Sequence, residues 1–355
     1  MLGRNGKSWI AGVGQNFIAV HLAHVFNFKG PNMVVDTACA SALTAVHLAV
    51  RCIQNGEAEM AVAGGVDILL DEHIFLLLSA AKLLSPDGRC KAFDADANGI
   101  GLGEGCGALV LKPLQDAIED HNKIYGVIDG SAINSDGNTM GVTTPNPDAQ
   151  QELIDTVLID ADINPETITY VETHGTGTLI GDPIELRALT RVFEKHTEKK
   201  QFCGVGSVKS NFGHLLSAAG VAGMIKVLLS ITGHELPPTL HCTTPNPRFN
   251  FDKSPFYPVL KVKKWTTENQ ILRAGISAFG LGGNNAHLIL SNEGVPKTHS
   301  ASIEPKGGRI IFNRKRYWPE KTTGNEKNNY PPGTGHPAEN DEDSVFNKFF
   351  EIEEV

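Results

Sequence analysis

The feature that most constrains this chain is an alternation of short apolar runs and helical periods, played through twice, with glycine-rich turns where the runs end. Residues 33–35 form a short apolar run that stops at Asp36. From Ser41 the period changes, and Leu43, Val46, His47, Val50 and Ile53 recur at helical spacing. Residues 60–65, 103–111 and 125–133 predict strands, and 150–159 predict a helix closed by Asp162 and Pro165. The order then repeats: strand 168–172, helix 182–193, strand 202–208 and apolar helix 218–231. Two last strands, 274–278 and 286–290, flank a glycine turn. Strands that alternate with helices build parallel sheets covered on both faces. Ligands in such sheets sit where strands end, so the residues at strand ends are the ones to ask about chemistry.

Composition narrows the function classes. The chain has 355 residues, 41% hydrophobic and 20% charged, as suits a soluble enzyme of two average domains or one large two-half fold. That length supplies a core without a disulfide or metal staple. A net charge of −9 argues against nucleic-acid binding. Six cysteines stand at 39, 52, 90, 106, 203 and 242 with no C-x-x-C between them. They read as reduced thiols of a cytoplasmic protein, without a disulfide framework or zinc site. No run of 18 apolar residues predicts a membrane span, and the charged start lacks the apolar stretch of a signal peptide. G-K-S at 6–8 lacks the upstream glycine of a phosphate loop, since position 1 is Met1.

Three motifs carry the chemistry. Cys39, in V-V-D-T-A-C-A-S-A-L, falls at a predicted strand-to-helix junction, where a strand at 33–35 gives way to the N-terminal end of a helix. There the macrodipole and free N–H groups favour thiolate and should lower the pKa. Ala38, Ala40 and Ser41 are small enough to admit a thioester, and the N–H of Cys39 can face an oxyanion. Cys52, Cys106 and Cys203 are expected to be buried structural thiols. His174 lies in V-E-T-H-G-T-G-T-L-I-G-D-P-I-E, where Thr176 and Thr178 offer hydroxyls to an extended polar ligand. His214 ends G-S-V-K-S-N-F-G-H, five residues after Lys209. His21, His47, His73 and His287 are read as core residues with satisfied nitrogens. In S-A-F-G-L-G-G-N-N at 277–285, the turn either aims an N–H into a site, with Phe279 as a gate, or is a tight hairpin between core strands. A thiol and two imidazoles suit carbon–carbon bond formation between thioesters. The thiol holds an acyl chain, and two neutral donors steady the enolate of the second thioester.

Together these motifs resemble the β-ketoacyl synthase (ketosynthase) domain of modular polyketide synthases, in the thiolase superfamily. L-S-P-D-G-R-C-K-A-F-D-A-D-A-N-G at 84–99, G-S-A-I-N-S-D-G at 130–137 and L-P-P-T-L-H at 236–241 extend the likeness. The resemblance implies a thiolase-like five-layered α-β-α-β-α fold, incomplete in its N-terminal half and followed by a disordered tail. It assigns 1–160 to a half carrying the nucleophile, 161–291 to a half carrying both histidines and 292–319 to a post-ketosynthase linker. Residues 320–355 become a flexible tail, with a short amphipathic helix predicted at 344–355. By resemblance, Cys39 accepts the acyl chain, and His174 and His214 promote decarboxylation of a malonyl-type extender. Lys209 supports His214, while the N–H groups of Cys39 and Phe279 form the oxyanion hole. Thr176, Thr178, Gly280, Gly282 and Gly283 line the substrate arm. That arm is phosphopantetheine on an acyl carrier protein; the domain itself is expected to bind no cofactor and no metal. Further implied partners are neighbouring synthase domains and a second copy in a homodimer. Arg187, Arg191, Lys195, Lys199 and Lys200 are candidates for a carrier-docking patch, or simply a solvated helix face.

The chain also departs from the family pattern. Its third motif continues G-H-L-L-S-A-A-G, with Leu216 where polyketide members commonly carry Glu, and its last reads G-L-G-G-N-N. Only 38 residues precede Cys39, about 60 fewer than the family pattern at roughly 30 residues per strand–helix–strand unit. An incomplete first sheet is therefore expected, with exposed apolar faces, unpaired edges and poor solubility or activity of the chain alone. Three other readings stay open at this point. A thiolase or non-extending ketosynthase keeps the superfamily but not the H-G-T-G-T histidine. A cysteine hydrolase of Cys-His-Asn type needs one histidine only. A synthase scaffold needs no chemistry at all.

Overall fold

This computed structural model describes residues 14–300, all within one compact unit. In chain order the main elements are α1 (Phe17–Phe26), α2 (Ser41–Gln54), β1 (Ala61–Asp67), α3 (His73–Ala80), β2 (Gly105–Leu111), α4 (Leu114–Glu119), β3 (Val127–Ser135) and α5 (Pro147–Asp160). There follow β4 (Tyr170–Glu172), α6 (Gly181–Phe193), β5 (Cys203–Gly206), α7 (Lys209–Phe212) and α8 (Ala219–Gly233). The last are β6 (Glu235–Leu236), β7 (Phe256–Pro258), β8 (Lys263–Lys264), β9 (Arg273–Phe279) and β10 (Asn284–Ser291).

A six-stranded sheet of order β3-β10-β9-β4-β5-β7 carries the site. Strands β9, β4, β5 and β7 run parallel, and β10 is antiparallel to both β9 and β3. The sheet is thus mixed, because the glycine turn at 280–283 folds β10 straight back on β9. Successive side chains of a strand point to opposite faces, and the core follows that rule. Val171, Val205 and Ile289 pack against Leu153, Val157, Leu186, Leu189 and Phe193 of α5 and α6. Their neighbours Tyr170, Leu288 and Leu290 pack with Leu43 and Val46 of α2 and Met224 and Val227 of α8. Asn146 caps α5 by accepting the N–H groups of Asp148 and Ala149 at 3.0 and 3.4 Å, with Pro147 in the first turn.

Helices α2 and α8 are in turn covered by a second sheet, the antiparallel pair β1–β2. Ala42, Leu215, Ala218 and Val221 pack with Leu109 at this layer. Gly107 permits the close approach of α8, since a Cβ there would stand 3.0 Å from both Ile225 and Val221. The outer face of this pair leaves Val62, Val66 and Val110 exposed. Helices α1 and α3 bury no residue, and Phe26, Phe28, Leu70 and Leu76 lie open. Among the described residues four layers stack and none covers the outer face of β1–β2, which meets the expectation of an incomplete layered fold.

Several expectations need correction. Residues 33–35 form no strand; among the described residues no strand lies beside them to take their N–H and C=O groups. The strand predicted at 125–133 runs instead over 127–135, where it is hydrogen-bonded to β10. Leu216–Gly233 is long and apolar enough to cross a membrane, with a mean hydropathy of 1.6, yet 56% of it is buried in this core. The tail at 320–355 and residues 301–319 of the linker fall outside the described residues.

Candidate active site

Cys39 sits in a single 3-10 turn, Ala38–Ala40, that leads directly into α2. The chain reaches it through a sharp reversal in which Ala38 takes φ +51°, a left-handed conformation rare for alanine. Local side chains hold that turn. Asp36 Oδ1 accepts the N–H of Ala38 at 2.9 Å, and Ser41 Oγ accepts the N–H of Thr37 at 2.9 Å while donating to Ala38 O at 2.6 Å. The turn lies hard against the glycine loop: a Cβ on Gly280 would be 2.1 Å from Thr37 O.

His174 and His214 come from the two loops that follow β4 and β5, and their ring centroids lie 5.6 Å apart. Each imidazole accepts a backbone N–H at Nδ1. Phe279 N donates to His174 at 3.3 Å, and Leu216 N donates to His214 at 3.0 Å. A neutral ring that accepts at Nδ1 carries its proton on Nε2, so both rings present an N–H donor. Burial, then the Lys209 charge, hold both imidazoles well below the ordinary pKa; for His174 the neighbouring His214 adds to this. The rings are therefore neutral donors at physiological pH.

Lys209 stands among all three groups. It is buried, its Nζ donates to His174 O at 2.5 Å, and its charge acts on the His214 ring as well. Burial pushes the Cys39 thiol up from its ordinary pKa, while Lys209 and the N–H groups of Leu281 and Cys39 pull it down. The net direction is upward, which corrects the expectation of a helix-lowered thiol: desolvation outweighs the helix terminus here. The oxyanion expectation also moves by two residues. The Phe279 amide is engaged by His174, and the Leu281 amide faces the sulfur instead. The Phe279 ring packs against His174 with centroids 5.6 Å apart. Leu281 was legible only as the centre of G-L-G-G.

Two buried carboxylates that sequence reasoning left without a role shape the His174 loop. Glu185 accepts the N–H groups of His174 and Gly175 at 2.7 and 3.0 Å. Asp182 Oδ1 accepts those of Thr176 and Gly177 at 3.0 and 3.2 Å, and its Oδ2 takes Phe93 N at 2.9 Å. Burial raises Asp182 to about 6 and Glu185 to about 8, opposed by these amides. The hydroxyls of Thr176 and Thr178 meet at 3.1 Å. Gly282 and Gly283 turn the loop with φ of +101° and +86°.

Elsewhere the predicted residues divide. His47 and His287 are buried against Ser131 and Ser277, at 2.9 and 3.0 Å, whereas His21 and His73 lie on exposed helix faces. Cys203 is buried, Cys52 half-buried and Cys106 exposed, because β2 turns 106 outward. Of the basic candidates, Arg191, Lys195, Lys199 and Lys200 pair with Asp148, Asp155, Glu166 and Glu194 at 2.5–2.8 Å. Arg187 donates to Arg248 O at 2.9 Å. Four of the five cations are thus paired with carboxylates, three of them from the neighbouring 147–167 segment, while Arg187 meets only a carbonyl.

Comparison with known proteins decides the family. Residues 3–117 match the beta-ketoacyl synthase N-terminal domain, and residues 125–243 match its C-terminal domain. Polyketide synthase PksM of Bacillus subtilis is 47% identical over 297 residues, 82% of this chain and 7% of that protein. The chain belongs to the β-ketoacyl synthase family. A second relative, the highly reducing polyketide synthase cla2 of Cladosporium cladosporioides, is 42% identical over 87% of the chain and 13% of its own length. The ketosynthase from module 6 of the bacillaene synthase of Bacillus subtilis 168 superposes with a TM-score of 0.78 at 49% identity, covering 79% of this chain and 50% of that one. Ketosynthase twelve of the bacillaene synthase in Bacillus amyloliquefaciens gives 0.75 at 40% identity, covering 80% and 51%. The fold is accordingly the thiolase-like fold of polyketide ketosynthases, and this chain spans about half the length of the solved ketosynthases it matches.

Proposed function

We propose that the site performs a decarboxylative Claisen condensation between an acyl chain on Cys39 and a malonyl-type thioester on an acyl carrier protein. The observation that carries this reading is the pair of neutral imidazoles, each with Nδ1 filled by a backbone N–H and Nε2–H free to donate. In the first half-reaction the Cys39 sulfur attacks the incoming acyl thioester, and the carrier thiol leaves with the cysteine's proton. The N–H groups of Leu281 and Cys39 receive the oxyanion. In the second, His174 and His214 donate to the malonyl thioester oxygen as the bond to the carboxylate breaks. Carbon dioxide leaves, and its bonding electrons form the enolate. The enolate carbon then attacks the Cys39 thioester, giving the β-ketoacyl product and expelling the Cys39 thiolate, which takes a proton from water to restore the thiol. The paired hydroxyls of Thr176 and Thr178 suit the amides of a phosphopantetheine arm, which arrives as part of the substrate. Neighbouring synthase domains, a second copy of the chain and a cytoplasmic location belong to the same proposal.

The test uses the full chain with acyl and malonyl thioesters of N-acetylcysteamine, following Cys39 acylation and carbon dioxide release separately. His174→Ala and His214→Ala should each cut decarboxylation about 100-fold or more, the usual effect of losing one oxyanion donor, and leave acylation of Cys39 measurable. Retained turnover to the free acid in His214→Ala would make the protein a cysteine hydrolase. A wild-type chain that neither acylates nor decarboxylates would leave the scaffold reading.

A further inference from the structure

Behind the histidines lies a buried ion pair that touches none of the groups in that mechanism. Glu172 is the last residue of β4, two before His174, and is 2% exposed; Lys226, at the middle of α8, is 9% exposed. Lys226 Nζ meets Glu172 Oε2 at 2.7 Å and lies 5.6 Å above the ring of Tyr170. Glu172 Oε2 also accepts the Tyr170 hydroxyl at 2.7 Å, and Oε1 accepts the N–H of Val208 at 2.6 Å. Val208 immediately precedes Lys209, which in turn donates to the carbonyl of His174. The ends of β4 and β5 are therefore tied in both directions. Thr173 adds two bonds to Gly206 O, from its N–H at 2.9 Å and its hydroxyl at 3.1 Å.

A buried ion pair is weak evidence for stability, because apolar residues of similar volume often hold a core as well or better. What an apolar pair cannot supply is a directed acceptor for the Val208 amide. The helix also makes room for this carboxylate: a Cβ on Gly223 would stand 3.1 Å from Glu172 Cγ. Two residues beyond Glu172, the contact that fixes the His174 tautomer, from Phe279 N to Nδ1, is long at 3.3 Å. We infer that Glu172, held by Lys226, is a positioning residue that sets the relative placement of the two histidine loops and so keeps the His174 proton on Nε2. The inference rests on the condensing reading only for its effect on rate.

The experiment is imidazole nitrogen NMR on the full-length chain, with decarboxylation and Cys39 acylation measured alongside. The variants are Glu172→Met with Lys226→Met, and Lys226→Gln alone. The double variant should melt close to wild type. It should lose the single Nε2–H tautomer at His174 while His287, buried against Ser277, keeps its own. The ratio of decarboxylation to acylation should fall about tenfold or more. Glu172→Gln, which retains an amide oxygen for Val208, should recover part of both signals. A folded double variant with wild-type tautomers and an unchanged ratio overturns the inference. Should the double variant not fold, Lys226→Gln is read in the same way, and failure of both to fold assigns the pair to stability alone. A wild-type chain with both tautomers fixed but no decarboxylation sinks the condensing reading and leaves this one standing.

Discussion

Gly280→Ala tests how Cys39 is aimed. A methyl at 280 would stand 2.1 Å from Thr37 O and 3.1 Å from Asn284 O, whereas real Cβ atoms essentially never come within 3.0 Å. Both obstacles are backbone, so no side chain can rotate away. The nucleophile turn and the glycine loop must part by about 0.9 Å. Forced overpacking of this kind costs about 1–3 kcal/mol. At roughly 2–4 °C per kcal/mol for a domain of this size, the melting temperature should fall by about 2–12 °C. The chemical effect should be larger. Cys39 lies two residues beyond Thr37, and Leu281 follows Gly280, so the separation pulls the Leu281 amide, the proposed oxyanion donor, away from the sulfur. A misplacement near 1 Å, or the loss of one such donor, costs about 100-fold. The assay is mass-spectrometric acylation of Cys39 by an acyl thioester, with Gly56→Ala as control. Gly56 has φ +74° and nothing within 4 Å of where an alanine methyl would point, so that change strains one turn and displaces nothing. A folded Gly280→Ala chain that acylates within threefold of wild type refutes the reasoning.

Two electrostatic predictions follow from the buried groups. Lys209→Met removes the cation that lowers the Cys39 pKa, so iodoacetamide should alkylate Cys39 more slowly at every pH below 9; an equal or faster rate removes the electrostatic role. His287, lowered to about 3 by burial, makes the chain acid-sensitive. A depressed histidine contributes stability that is complete above its unfolded pKa near 6.5 and is lost as pH falls toward 3, about 2 kcal/mol of it by pH 5. Calorimetry at pH 7.5 and 5.0 should show a smaller drop for His287→Gln than for wild type, and equal drops would assign the acid sensitivity elsewhere.

What the sequence made legible was local. Helical spacing after Ser41 reflects the residues' own preferences, and that helix forms as read; the helix predicted at 150–159 also forms but begins three residues earlier, at Pro147, where Asn146 caps it. The three motif residues were legible because each sits at a strand or helix end among glycines and small side chains, where only a few residue types fit. Residues 33–35 were misread because a strand is not a property of its own residues alone. Its N–H and C=O groups need a neighbour, and an apolar run says nothing of whether one is beside it. Leu281 was missed for a related reason. Its contribution is an amide, which every residue except proline carries, so identity alone gives no signal. Glu172, Asp182 and Glu185 stand inside the His174 motif with no role that the letters alone assign; burial and the backbone amides they accept make them structural anchors.

Lys209 shows why this site suits condensation better than the ion pair of a cysteine hydrolase. In a thiolate–imidazolium pair, the histidine must hold a proton at neutral pH to stabilise the sulfur. Here the cation is a lysine, fixed by the His174 carbonyl and shut away from water. Its field acts on three groups at once: it lowers the thiol pKa and also lowers both imidazole pKa values. Burial is the first cause that keeps both rings uncharged, and this charge adds to it while partly offsetting the burial that raises the thiol. An imidazolium at either position would attract the malonyl carboxylate and hold it in place. Decarboxylation instead needs that carboxylate to lose its charge as carbon dioxide while charge builds on the thioester oxygen. Neutral donors reward only the second change, and the two Nε2–H groups are such donors.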